Sequence, residues 1–142
     1  MSYFDRWELG TVSDLGCHRF DPDEIRRFAL RFDPQPFHID AQAARTSLFG
    51  ALCASGWHTV AIFRRLNVDH ARREAERCRA HGLPEPGFGP MPSVSDLRWP
   101  RPVFAGEVIA YRQTAIGKRA SASRPGWGLV SYRVEGATEN GE

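Results

Sequence analysis

The segment from Gly56 to Arg79 constrains the fold more than any other part of the chain, because it reads as one long helix. Val60, Phe63, Leu66 and Val68 give it an apolar side, while Arg64, Arg65, Arg72, Arg73, Glu74, Glu76 and Arg77 supply charge. The first half is nearly all apolar apart from the arginine pair and is expected to be deeply buried. The second half is polar and is expected to be a solvated face. After it, Gly82 to Pro92 is rich in glycine and proline and reads as a loop. Three strand candidates follow: Ser93 to Trp99, Val108 to Ile116 and Trp127 to Ala137. Helices first and a mostly antiparallel sheet afterwards make an α+β chain.

The residues before the long helix add shorter elements. The stretch through Phe20 alternates weakly (Val12, Leu15, Cys17, Phe20) and can hold a first strand. Asp21-Pro22-Asp23-Glu24 is a helix start, with a capping carboxylate, a proline suited to the first turn, and acids that complement the positive end of the dipole. Ile25, Phe28, Ala29 and Phe32 then share one face. Pro34 disfavours helical geometry at Asp33, so the helix is expected to stop there. Asp40 can cap a short helix over Ala41 to Arg45.

Bulk properties exclude several function classes. At 142 residues the chain fits one domain, 1–142, and buries about 70% of its unfolded surface. A net charge of +2 gives no electrostatic case for nucleic acid. Nearly all the positive charge is arginine, with Lys118 the only lysine. Cys17, Cys53 and Cys78 form no close pair, so a zinc cluster or disulfide framework is not expected, and reduced thiols in a cytoplasm are the simple reading. The N-terminus lacks a signal-peptide pattern. No apolar run approaches the roughly 20 residues that span a bilayer.

The densest group of unusual residues is Phe32-Asp33-Pro34-Gln35-Pro36-Phe37-His38-Ile39-Asp40. Asp33 sits where a helix has just ended, where the negative end of the dipole disfavours its ionisation. Two prolines stiffen the link from Asp33 to His38. A carboxylate and an imidazole on a short stiff tether can share a water and act as general base and acid. An Asp before Pro is also a common helix stop, and a lone His is commonly structural. A second feature, Ala51-Leu52-Cys53-Ala54-Ser55-Gly56-Trp57, leads into the long helix. Gly56 permits close approach of a ligand to free backbone N–H groups that can hold an oxyanion. Packing against a neighbour explains the same glycine.

The run from Phe28 through Asp33-Pro34-Gln35-Pro36-Phe37-His38 resembles the signature of MaoC-like dehydratases, relatives of (R)-specific enoyl-CoA hydratases. Ala44, Phe49-Gly50 and Ser55-Gly56 continue it in register, as does Leu97-Arg98-Trp99-Pro100-Arg101-Pro102-Val103-Phe104-Ala105-Gly106-Glu107-Val108. The resemblance covers about residues 20 to 135. It implies a hotdog fold, an antiparallel sheet wrapped around a long central helix, and a homodimer with acyl-CoA sites at its interface. It implies hydro-lyase action on an enoyl or 3-hydroxyacyl thioester of fatty-acid type. Asp33 and His38 would then handle water and protons, and the Gly56 N–H would hold the thioester oxygen. Ser55, Trp57 and Gln35 would border the substrate. No cofactor or metal is implied beyond the coenzyme A of the substrate, and no membrane partner.

This sequence departs from that pattern in several places. Gln35 replaces the usual Asn, Ser55 replaces a frequent His, and Trp57 stands where a smaller apolar residue is common and can narrow the acyl pocket. Arg64 stands about where such hydratases carry a small hydroxyl, and can change the substrate or close the site. The family's next strand would lie beyond Asn140-Gly141, which leaves its neighbour with an exposed edge. His58 can line the pocket, Arg98 and Arg101 can meet phosphates, and His18, His70 and His81 read as surface or loop residues. Cys53 reads as an inert buried thiol. The alternative function is an acyl-CoA or hydrophobic-ligand binding protein without chemistry. Thioester hydrolysis ranks below both.

Overall fold

The computed structural model describes residues 1–142. Its elements in chain order are α1 (Tyr3–Arg6), β1 (Val12–Arg19), α2 (Pro22–Phe32), α3 (Pro36–Ile39), α4 (Ala41–Arg45), α5 (Gly56–Ala80), β2 (Val108–Ala120) and β3 (Gly128–Ala137). The strands form one antiparallel sheet in the order β1-β2-β3. β1 runs against the first half of β2, pairing Val12 with Thr114 and Arg19 with Val108. β2 and β3 pair from Ala110 with Ala137 to Ala120 with Gly128. β2 therefore extends four residues past the expected end at Ile116, because β3 supplies partners along its whole length.

The helix boundaries follow from local chemistry. Asp21 caps α2 by accepting from the Asp23 and Glu24 N–H groups, a contribution of about 1 kcal/mol. The helix closes at Asp33, whose φ of −156° and ψ of 68° lie outside the helical region, as Pro34 requires. Asp40 caps α4 through Gln42 and Ala43. Ser55 caps α5 by accepting from the Trp57 N–H.

The core lies between the sheet and the helices. Leu15, Phe20, Ile25, Ala44, Leu52, Ala54, Ile109 and Tyr111 form its buried cluster, with Ile62, Phe63 and Leu66 of α5 packed against it. Tyr111 ties the sheet to the helix by donating to the Thr59 carbonyl at 2.9 Å. β1 bulges between Asp14 and Gly16, where Gly16 takes a φ of +109° that a side chain would resist.

Three expectations are corrected. Ser93 to Trp99 is not a strand: residues 91–100 are exposed and pair with nothing, and the only bridge nearby joins Cys53 to Phe104. A segment bounded by turn residues does not make a strand when no neighbour accepts its backbone bonds. The first half of α5 is not deeply buried. Val60, Phe63 and Leu66 are half-covered, since a three-stranded sheet shields only one side of the helix. Its buried residues are His58 and, near the far end, Ala75 and Cys78. That end is covered from the N-terminus, where Arg6 reaches the Cys78 sulfur at 3.9 Å and the Pro84 carbonyl at 3.1 Å. On α2, Ile25 and Ala29 face the core, but Phe32 is exposed. No helix is long and apolar enough to cross a membrane.

Candidate active site

The stiff turn between α2 and α3 brings Asp33 and His38 together. His38 Nε2 lies 3.5 Å from Asp33 Oδ2. The His38 ring is buried, and its Nδ1 sits 2.6 Å from the Cys53 carbonyl oxygen. A carbonyl only accepts, so Nδ1 carries a proton and donates. In the neutral ring Nε2 is then an acceptor, and it faces a carboxylate oxygen. Cys53 is held in place by its own N–H, which donates to the Phe37 carbonyl at 3.2 Å. Its sulfur lies 3.7 Å from His38 Nδ1, and burial pushes the thiol up to about 11, so it stays protonated.

Asp33 is held from two sides. Ser55 Oγ donates to Oδ2 at 2.7 Å, and Gln35 Nε2 donates to Oδ1 at 3.1 Å. Ser55 is fully buried. Its hydroxyl also accepts from the Trp57 N–H, so one side chain caps α5 and clamps the carboxylate. Partial burial raises the Asp33 pKa, but the Ser55 and Gln35 hydrogen bonds, and the positive charge His38 carries when protonated, outweigh it. The carboxyl group is held below its ordinary value. This reverses the expectation from the α2 dipole: two directed hydrogen bonds to the charged form dominate over partial charges at the helix end.

Gly56 opens α5, and its N–H has no intrahelical acceptor. The Trp99 indole lies against its Cα, so a Cβ there would meet the ring at 2.4 Å. Trp99 Nε1 donates to the Gly56 carbonyl at 3.0 Å and to Thr59 Oγ1 at 3.2 Å. The packing reason for this glycine is therefore present. Gly56→Ala would gain up to about 1 kcal/mol of helix propensity. The collision with a hydrogen-bonded ring costs about 1–3 kcal/mol and decides the sign. A melting temperature lower by roughly 2–10 °C is expected. In a Trp99→Ala background the same substitution should become neutral or stabilising. A glycine replaceable without loss in the Trp99 protein would refute the contact.

Trp57 is exposed and lies edge-on to Trp99, with ring centroids 5.2 Å apart. Arg64 bonds neither Asp33 nor His38. Its Nη1 donates to Asn67 Oδ1 at 2.7 Å, and Asn67 donates to the buried Gln113 at 2.9 Å. Arg101 pairs with Glu107 and Glu142. His18 was expected at the surface but is half-buried on β1, against Glu24. His58 faces Glu24 as well, at 3.1 Å. Sequence reasoning missed the Cys53 carbonyl, the Trp99 cover and this His18–Glu24–His58 meeting. Only the tryptophan carries a sequence signal, in its place between Arg98 and Pro100.

The family model described as "MaoC like domain" matches residues 10–136. The chain belongs to that family. A solved MaoC-like dehydratase from Rhodospirillum rubrum is 32% identical over 100% of this chain and 89% of its own, with a TM-score of 0.75. The (R)-hydratase from A. caviae involved in PHA biosynthesis shares the fold, with a TM-score of 0.61 at 22% identity over 95% of this chain and 88% of its own. Among curated proteins, the uncharacterized protein YdeM of Bacillus subtilis (strain 168) is 35% identical over 65 residues, 46% of each chain. That match spans about half the length of the relative. The MaoC-like chain thus has the hotdog fold, with an antiparallel sheet against one long helix.

Proposed function

We propose that this MaoC-like protein adds water to, or removes it from, an acyl thioester of the enoyl-CoA and 3-hydroxyacyl-CoA type, with Asp33 and His38 as the acid–base pair. The observation that carries the reading is the close approach of His38 Nε2 to Asp33 Oδ2, 3.5 Å apart. With the ring neutral both atoms are acceptors, and a donor lying to one side of the line joining them can bridge the two. A water molecule suits the gap, because its two O–H groups can point one to each, leaving its lone pairs outward. In hydration that oxygen attacks the β-carbon of the enoyl thioester while one of its protons passes to the pair. The carbon–carbon π electrons move toward the thioester oxygen, where the Gly56 N–H stabilises the developing enolate. The pair then returns a proton to the α-carbon. Membership of the MaoC-like family and the likeness to a MaoC-like dehydratase support this chemistry. Its first test is an assay with short and medium trans-2-enoyl-CoA esters. Loss of the conjugated enoyl absorbance is expected, and no turnover at any chain length would count against it.

In this reading Ser55 and Gln35 act on Asp33 rather than on the substrate. Asp33 must be ionised to accept a proton, and its pKa lies below the ordinary carboxylate value. Asp33 should therefore stay ionised as pH falls into the usual carboxylate range and be neutralised only below it, which its side-chain carbon chemical shift would follow. The stability that Asp33 contributes follows the same direction: present above the unfolded-state value of about 3.9, and lost as pH falls through the lower folded value. Ser55→Ala removes the donor to Oδ2, so the acid limb of the kcat/KM profile should move upward. Losing the α5 cap should also cost about 1 kcal/mol of stability. An acid limb unmoved by the substitution would show that Ser55 only caps the helix.

We also propose a homodimer. β3 is a sheet edge, and Trp127, Val130 and Val134 are exposed on or beside it, as are Leu30, Phe32 and Trp57 on the helical side. A second functional reading, acyl-ligand binding without chemistry, is favoured by the Trp99 ring packed on Gly56, the proposed oxyanion donor. Thermal stabilisation by acyl-CoA without any turnover would select it.

A further inference from the structure

We propose that His18, Glu24 and His58 form a binding site for a divalent transition-metal ion of the zinc type. The three residues come from β1, α2 and α5, and their ligand atoms lie within 4.8 Å of one another. His18 Nε2 is 2.9 Å from Glu24 Oε1 and 3.1 Å from Oε2. His58 Nε2 is 3.1 Å from the same Oε1. Two imidazole nitrogens are therefore aimed at one carboxylate oxygen. A tetrahedral zinc with bonds of about 2.0–2.1 Å sets neighbouring ligand atoms about 3.3 Å apart. The nitrogen–oxygen distances need only open by a few tenths of an ångström, and the two rings must close toward each other. Two imidazoles and a carboxylate are ligands that suit zinc and its neighbours better than calcium or magnesium.

The rings are fixed before any ion arrives. His58 stacks on Phe28 with centroids 4.6 Å apart and planes 8° from parallel. Phe20 packs edge-on between His18 and His58. Glu24 and His58 also line an open trough of about 590 Å³ between α2 and α5, whose other walls include Phe28 and Ile62. A further ligand can reach the ion from that side.

One feature limits the affinity. His58 Nδ1 is buried without a hydrogen-bond partner. With a metal on Nε2, the Nδ1 proton would have no acceptor, which weakens binding by roughly 10–100-fold against a site with a complete outer shell. The ion would pin β1, α2 and α5 together around Phe20.

The test uses the full chain, with Zn²⁺ followed by calorimetry and Co²⁺ followed by its visible absorption. One ion per chain is expected, with Co²⁺ bands of a four- or five-coordinate site and a higher melting temperature with Zn²⁺. His18→Gln and Glu24→Gln should each weaken binding at least about tenfold, as loss of a direct ligand requires. Melting without metal checks that both variants fold. Cys17→Ser and His81→Gln, which remove exposed ligands elsewhere, should bind as the parent does. Absence of saturable binding, binding that survives Glu24→Gln, or binding lost in Cys17→Ser would overturn the site. None of these readouts depends on thioester turnover, so the result is separable from the hydratase reading.

Discussion

Asp33→Asn and His38→Ala should each lower kcat/KM for enoyl-CoA hydration by about 10²–10⁴-fold, the range of a positioned acid–base group. The asparagine keeps the size of the side chain, but its amide nitrogen can accept neither a proton nor the hydrogen bond that one of Ser55 and Gln35 donates to the carboxylate. The alanine removes the ring that is locked by the Cys53 carbonyl and faces Asp33 across 3.5 Å. Because the two groups share one water in this account, the double substitution should cost little more than the worse single one. Independent, multiplying losses would mean that the residues serve separate steps. Asp33→Asn should still fold at neutral pH, at a cost of about 1–3 kcal/mol for the donor left without its acceptor. Activity within a factor of a few of the parent in either variant would remove the pair from the mechanism.

The largest effect on stability is expected at Phe20. This ring is fully buried, and it touches His18 at 4.9 Å and His58 at 5.1 Å between centroids. Its backbone also joins the end of β1 to the chain leading into β2, through bonds to Glu107 and Gly106 at 2.9 and 2.8 Å. Phe20→Ala should cost about 3–5 kcal/mol, from lost transfer energy and an unfilled cavity. Against a total stability of about 5–15 kcal/mol, that is a large share. In urea the midpoint should fall with the slope unchanged. A loss under about 1 kcal/mol would mean that the ring is not a core member or that the site collapses freely around it.

Local chemistry was the legible part of this sequence. Asp21 and Pro22 mark where α2 begins, and Asp33-Pro34 where it ends, because capping and proline geometry act over a few residues. The long helix and the β2–β3 hairpin follow from pattern and punctuation. The Asp33–His38 meeting was legible too, since the four residues between them include two prolines and leave the chain few ways to run. What depends on distant parts of the chain was not legible. Ser55 clamps Asp33 from 22 residues away, and the His38 tautomer is set by a backbone carbonyl 15 residues on. Periodicity shows which residues share a face, but not what covers it. Phe32 shares the face of Ile25 yet stays exposed, and Ser93 to Trp99 has no strand to pair with. The dipole argument for Asp33 failed for the same reason, because its hydrogen-bond donors could not be seen from the turn alone.

Hydration in deuterium oxide separates the proposed chemistry from its rivals in one mass spectrum. With trans-2-enoyl-CoA as substrate, the product should be the 3-hydroxyacyl thioester with one deuterium bound at the α-carbon, and Asp33→Asn should form almost none of it. Recovery of unchanged enoyl thioester, or of free coenzyme A thiol and the released acid, would contradict the account.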